Sequence, residues 1–173
     1  RQVLHAPQHP YTRRLLEAGH RKIAFSGWDS PIPNVRERVN GYRAAMREYG
    51  LTADTERVLL GPLTEAAGRD MGARLLAEGV SGAVLGQQDT AKGTLLHFQD
   101  HNVRWPQDIS VVMIGTPEWA DFLRPRITCI QRPEKQMGRE AASLLFEVMH
   151  VPSRPPVQRI VPCVVVERAS GIR

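Results

Sequence analysis

The chain has 173 residues, 42% hydrophobic and 24% charged, a balance that fits one soluble domain, or one and a half, with its own core. No stretch approaches the 18 consecutive apolar residues of a membrane span, and the opening RQVLHAPQHPY lacks the charged-then-apolar layout of a signal sequence. The net charge of +5 comes from 20 Arg and three Lys interleaved with acids, as in RERVNGYRAAMRE, so it does not by itself mark a nucleic-acid surface.

Starting at Arg1 rather than Met, the sequence reads as a piece of a longer protein. Cys129 and Cys163 are too few for a disulfide framework and lack metal-site spacing; they read as free thiols in a cytosolic chain.

In chain order, YTRRLLEAGH predicts a helix with Gly19 at its C-cap, followed by a strand at 21–27. The loop WDSPIPN holds two prolines that neither a helix interior nor a central strand accepts. Asn34 is the expected N-cap of a helix over 35–49, with Val39, Tyr42, Ala45, Met46 and Tyr49 on one face and Gly50 at its end. A strand at 57–62 leads to a helix over 65–78, capped by Thr64. GAVLG (82–86) is apolar throughout and suits a buried parallel strand. A helix over 90–101 and a strand over 108–115 follow. The last third predicts a strand at 126–131, an amphipathic helix at 133–150, a Pro-rich loop and a strand at 160–168.

Strand and helix alternate with short connections, which predicts an α/β fold with a parallel sheet. Ligands in such sheets bind beyond the carboxyl ends of the strands. Five loops carry those ends: 28–34, 61–64, 86–89, 115–120 and 131–133.

The chemistry in those loops favours binding over catalysis. The sequence has no Gly-x-Ser-x-Gly elbow, and GPLTEAAGRDMG lacks the spacing and Lys of a phosphate loop. His97 and His101 share a helix face, but two polar residues on an exposed face explain them as well as a metal does, and no metal or cofactor is assigned. Arg36 and Arg38 open a helix, where a guanidinium either grips a hydroxyl, carboxylate or phosphate or pairs with Glu37 or Asp29. Gln87, Gln88 and Asp89 offer donors and acceptors. Trp28 and Trp119 either stack on a ligand or anchor their loops.

Five blocks, GHRKIAFSG, RERVNGYRAAMREYGL, GAVLGQQDTAKGTL, WPQDISVVMIG and LRPRITCIQRPEKQMGREAASLL, resemble in order and spacing the effector domain of lactose/galactose-repressor-type (LacI/GalR family) bacterial transcription regulators. VPCVVVERAS is similar to that family's closing strand. The resemblance implies a periplasmic-binding-protein-like fold: two α/β subdomains, each a parallel sheet sandwiched by helices, with a small ligand in the cleft between them. Residues 3–131 and 161–173 would then form the C-terminal subdomain, essentially complete. Residues 132–160 would be a remnant of the N-terminal subdomain, with the DNA-binding headpiece outside this chain.

Carried over by position, the resemblance places Arg38 at a ligand-gripping arginine and Gln87 at an asparagine that bonds a sugar hydroxyl. It also places Gly115 at a ligand-binding aspartate and Arg132 at a crossing position often held by Gln. Trp28, Asn34, Leu63 and Trp119 complete the expected ligand-binding set. With the aspartate gone and two cations present, it implies a sugar, sugar acid or sugar phosphate as effector, or a pocket with no small effector. The expected function is the non-enzymatic sensing and dimerising part of a cytoplasmic repressor. It would form a homodimer, contact operator DNA only through the headpiece and touch no membrane. The alternatives are a periplasmic sugar-binding protein and a module sensing a protein partner.

Overall fold

The computed structural model describes residues 10–51, 57–150, 155 and 157–171. Its strands are β1 (Ile23–Trp28), β2 (Arg57–Gly61), β3 (Gly82–Leu85), β4 (Ser110–Ile114), β5 (Thr128–Gln131) and β6 (Val164–Val166). They form one sheet in the order β2-β1-β3-β4-β5-β6. The first five run parallel, and β6 closes the edge antiparallel to β5.

The described helices are α1 (Pro10–Glu17), α2 (Pro33–Glu48), α3 (Glu65–Ala77), α4 (Gln88–Asp100) and α5 (Glu134–His150), with a 3-10 turn at Glu118–Asp121. Side chains alternate across the sheet, so adjacent strand residues feed different cores. Phe25, Val84, Val112 and Ile130 pack with Leu15, Leu16, Tyr42 and Met46 of α1 and α2. Ala24, Ala83, Leu85, Val111 and Cys129 pack with Met71, Leu75, Leu95 and Phe98 of α3 and α4. The result is the α/β sandwich that the alternation predicts, with β3 and β4 buried at every position.

On the second face, α3 and α4 meet backbone to backbone. A Cβ at Gly68 would strike the carbonyl of Thr90, and one at Gly93 would strike the carbonyl of Glu65. Only glycine allows that approach. Across the seam Thr94 donates to the carbonyl of Gly68 at 2.9 Å, and Lys92 pairs with Glu65.

Two expectations are corrected. Asn34 is not the N-cap of α2: the helix starts at Pro33 after Ile32, with no side-chain cap. Proline is pre-set for a first helical position, so it claims the start and leaves Asn34 inside the first turn. The strand expected over 160–168 is confined to Val164–Val166. The amphipathic helix α5 forms, but none of its side chains is buried: Met137, Leu145, Phe146, Val148 and Met149 are 47% to 65% exposed. Arg159 ties the segment after it back onto Glu140 and Glu147. The expected start of the first subdomain at residue 3 and much of the Pro-rich loop at 151–159 lie outside the described residues.

Candidate functional site

The backbone sets the strand ends before any side chain contributes. Asp29 N–H bonds Gly61 O, Gly86 N–H bonds Ser26 O, and Gly115 N–H bonds Ile130 O, which carries the sheet ladder one residue past each strand. Leu63 therefore follows β2, Trp28 ends β1, and Gln87, Gly115 and Arg132 follow β3, β4 and β5, in that spatial order. At ~4.8 Å per strand, Leu63 and Arg132 stand at opposite ends of a row about 19 Å wide.

The centre of that row is the end of β3. Arg38, on the second turn of α2, reaches across it and donates from Nη1 to the carbonyl of Gly86 at 2.8 Å. The guanidinium is half-buried, and its pKa is lowered first by burial, with the nearby charge of Arg132 acting in the same direction. Among the described residues no carboxylate pairs with it or figures among the charges acting on it. Arg132 is exposed and pairs with Glu134 at 2.8 Å.

Gln87 takes the N-cap position of α4 but makes no side-chain cap bond, so its half-buried amide remains available. Thr90 supplies the local turn by donating its hydroxyl to the Gln87 carbonyl. Gly115 is buried, with φ +101, a conformation that side chains rarely adopt. A Cβ there would lie 2.6 Å from Nε2 of Gln88.

Arg38 thus meets the end of β3 one residue before Gln87, Arg132 acts on it through its charge, and Gly115 follows the next strand. Trp28 ends β1 beside β3 and is partly buried. Trp119 is half-buried and packs against the core on the α3/α4 face, which is the loop-anchor arrangement. Asn34 is exposed on the first turn of α2, and Leu63 is 40% exposed beyond the edge strand.

Sequence reading missed two neighbours of Arg38. Tyr11 on α1 is buried, its hydroxyl pKa is raised by that burial, and Arg38 and Cys163 act on it electrostatically. Cys163 is exposed beside the same group. Nothing in the spacing of residues 11, 38 and 163 announces that they converge.

Two surface depressions lie elsewhere. One of about 490 Å³ runs between α2 and β2 and includes Arg36, Asn40 and Arg43. The other, about 700 Å³, is at the opposite end of the sheet, around Trp105 and Arg124. Neither is lined by Arg38. His97 and His101 stack at 4.0 Å, and the described residues hold no group of three or more His, Cys, Asp or Glu that could hold a metal.

Comparison with known proteins decides the family. The periplasmic binding protein-like domain matches residues 12–171. The chain belongs to that family. It is 31% identical, over 140 residues, to the transcriptional repressor PurR of Vibrio atlanticus, covering 79% of this chain and 41% of the repressor. The chain thus spans about two fifths of that relative's length.

Among solved structures it is similar to a LacI-family regulator of Enterococcus faecium with bound ribose, at TM-score 0.82 and 23% identity, over 93% of this chain and 60% of that one. It is also similar to a sugar-binding LacI-family regulator of Escherichia coli complexed with phosphate, at TM-score 0.80 and 25% identity, over 92% of this chain and 58% of that one. The resemblance to regulators of the lactose/galactose type is borne out, and these relatives are regulators rather than enzymes.

Proposed function

We propose that this chain is the effector-sensing part of a bacterial transcription repressor and binds a small sugar, sugar acid or sugar phosphate at the carboxyl ends of β1, β3 and β4. The observation that carries this reading is Arg38. A half-buried guanidinium held at a strand end by one backbone carbonyl, with no described carboxylate beside it, retains donors for a ligand. Gln87 contributes an uncommitted amide. The relatives support the reading: one is named as a repressor, and two similar regulators hold ribose and phosphate.

The division into 3–131 with 161–173 and a remnant at 132–160 belongs to the same proposal. Both described cores are built from residues of the first unit, whereas α5 buries nothing. In the whole protein, α5 would pack within a second subdomain that forms the other wall of the cleft. Ligand there favours one closure angle over another, and that difference in affinity repositions DNA-binding headpieces in a homodimer. Operator DNA is contacted through the headpiece, and the site of action is the cytoplasm. No described helix is long and apolar enough to cross a membrane.

A thermal-shift screen of the intact protein with sugars, sugar acids and sugar phosphates tests the reading. A ligand at a hundred times its Kd adds about 2.7 kcal/mol to stability. Stabilisation by one ligand class that disappears in Arg38→Ala is the expected result. Stabilisation that is equal in Arg38→Ala moves the site elsewhere, and no stabilisation by any class overturns the small-effector reading.

A further inference from the structure

At its β2 edge the sheet is only partly roofed by helix. Val58 packs in part against the core beneath α2, and Leu60, two residues on and so on the same face, is 38% exposed. Leu59 between them turns to the α3/α4 core and is buried. The result is the depression of about 490 Å³ between α2 and β2, a volume in the range of small-molecule sites. Val35 and Val39 line it from the helix.

Two opposite charges line this depression without pairing. Asp29 follows β1 and Arg36 lies in the first turn of α2, and neither makes an ion pair or a side-chain hydrogen bond with a described residue. Elsewhere on the surface such charges find each other, as Arg13 does Glu48 and Arg69 does Asp100. Arg43, two turns along the same side of α2, adds a second cation to the lining. Arg38, two residues from Arg36 and so about 200° around the helix, does not line it.

An apolar wall beside an unpaired carboxylate and an unpaired guanidinium suits a ligand that carries both charges on a short apolar body. A plain carboxylate leaves Asp29 unanswered, and a plain amine leaves Arg36 unanswered. One exposed ion pair is worth little in water, so neither charge alone retains a ligand. Two charge-assisted contacts add to the burial of an apolar side chain.

We infer that the depression between α2 and β2 is a second binding site, for the zwitterion of an apolar α-amino acid. The ligand carboxylate meets Arg36, its ammonium meets Asp29, and its side chain covers Val58 and Leu60. This does not depend on the effector reading, since none of the residues expected to contact the effector lines this depression.

The test is titration of the intact protein by ligand-observed NMR and calorimetry, with L-leucine and L-phenylalanine as probes. Three analogues each lack one element: 4-methylpentanoate the ammonium, L-leucinamide the carboxylate, and glycine the side chain. At least one of the two amino acids should bind wild type with a Kd of about 1 mM or tighter. Each analogue should bind at least about tenfold more weakly, as the loss of a charge-assisted bond or of a covered side chain predicts. Arg36→Gln and Asp29→Asn, both at exposed positions, should each weaken the amino acid by a similar factor. Arg47→Gln, one turn beyond Arg43 and outside the lining, should bind as wild type does.

Binding of neither amino acid overturns the inference and leaves the effector reading untouched. Undiminished binding in Arg36→Gln or in Asp29→Asn, with a melting curve matching wild type, also overturns it. Equal affinity for 4-methylpentanoate and leucine would make this a carboxylate site, and the zwitterion class would fail.

Discussion

The Nη1 atom of Arg38 and the carbonyl oxygen of Gly86 are 2.8 Å apart, joining the second turn of α2 to the end of β3. This contact adds little to the fold, because one bond to a backbone carbonyl is worth about 1 kcal/mol and the half-burial of the cation offsets part of it. Arg38→Ala should therefore change the unfolding free energy of the ligand-free protein by no more than about 1 kcal/mol. Chemical denaturation followed by circular dichroism checks this. A much larger loss would make Arg38 a structural residue rather than a binding one.

The seam between α3 and α4 is where the fold tolerates least. Gly93 faces the carbonyl of Glu65 and Gly68 that of Thr90, both rigid backbone rather than mobile side chain. Gly93→Ala must force the helices apart, and overpacking of this kind costs roughly 1–3 kcal/mol. Gly138→Ala on α5, where an added Cβ meets nothing, should leave stability equal or slightly higher, as expected for a helix-favouring change. Parallel denaturant titrations of the two variants read the contrast directly.

Ser170 fastens the end of the described chain to the sheet. It is fully buried, accepts from Thr128 N–H at 2.7 Å and donates to the Val111 carbonyl at 2.7 Å. The Thr128 hydroxyl reinforces the join by donating to the carbonyl of Arg168. Ser170→Ala leaves a buried donor and a buried acceptor without their partner, at about 1–3 kcal/mol. Hydrogen exchange should accelerate first at Thr128, beside the edge that β6 closes. Unchanged protection there would show that the tail is held by other contacts.

His97 gives the protein a pH-dependent term. Its ring fills the space left by Gly72, and its pKa is lowered from 6.5, first by burial and then by the positive charges of His101 and Arg69, against the opposing pull of Asp100 and Asp70. The folded state thus prefers the neutral ring, and the unfolded chain binds more protons just below pH 6.5. This contribution is complete above that pH and declines as pH falls through the window beneath it. His97→Gln should flatten the slope of stability just below pH 6.5 relative to wild type. Equal slopes would place the dependence on other groups.

The fold was legible because its signals are local. The runs IAFSG, GAVL and SVVMI are apolar on both faces, which a strand buried between two helical layers requires. Thr64 was readable as a cap, and its hydroxyl does accept from Ala67 N–H. Asn34 misled because a good capping residue lay next to Pro33, whose fixed φ decides the start of a helix more strongly. The antiparallel β6 was not foreseen, since three valines, one exposed and two partly buried, carry no direction in their sequence.

The site was legible in part. Arg38 and Gln87 stand at strand-adjacent helix starts, which the alternation locates. The convergence of Tyr11, Arg38 and Cys163 depends on how α1 and the closing segment return to the sheet. The overlay of Gln88 on Gly115 depends on one backbone angle, and neither relation has a sequence period.

The central claim is that Arg38, and not its neighbour Arg36, holds the effector. Arg36 is exposed and lines the depression between α2 and β2. The decisive measurement is titration calorimetry of a stabilising ligand against wild type, Arg36→Ala and Arg38→Ala. Losing a charge-assisted bond at Arg38 should weaken binding by about 1.5–3 kcal/mol, roughly ten- to a hundredfold, while Arg36→Ala binds as wild type does. Undiminished affinity in Arg38→Ala, or an equal loss in both variants, would contradict the account.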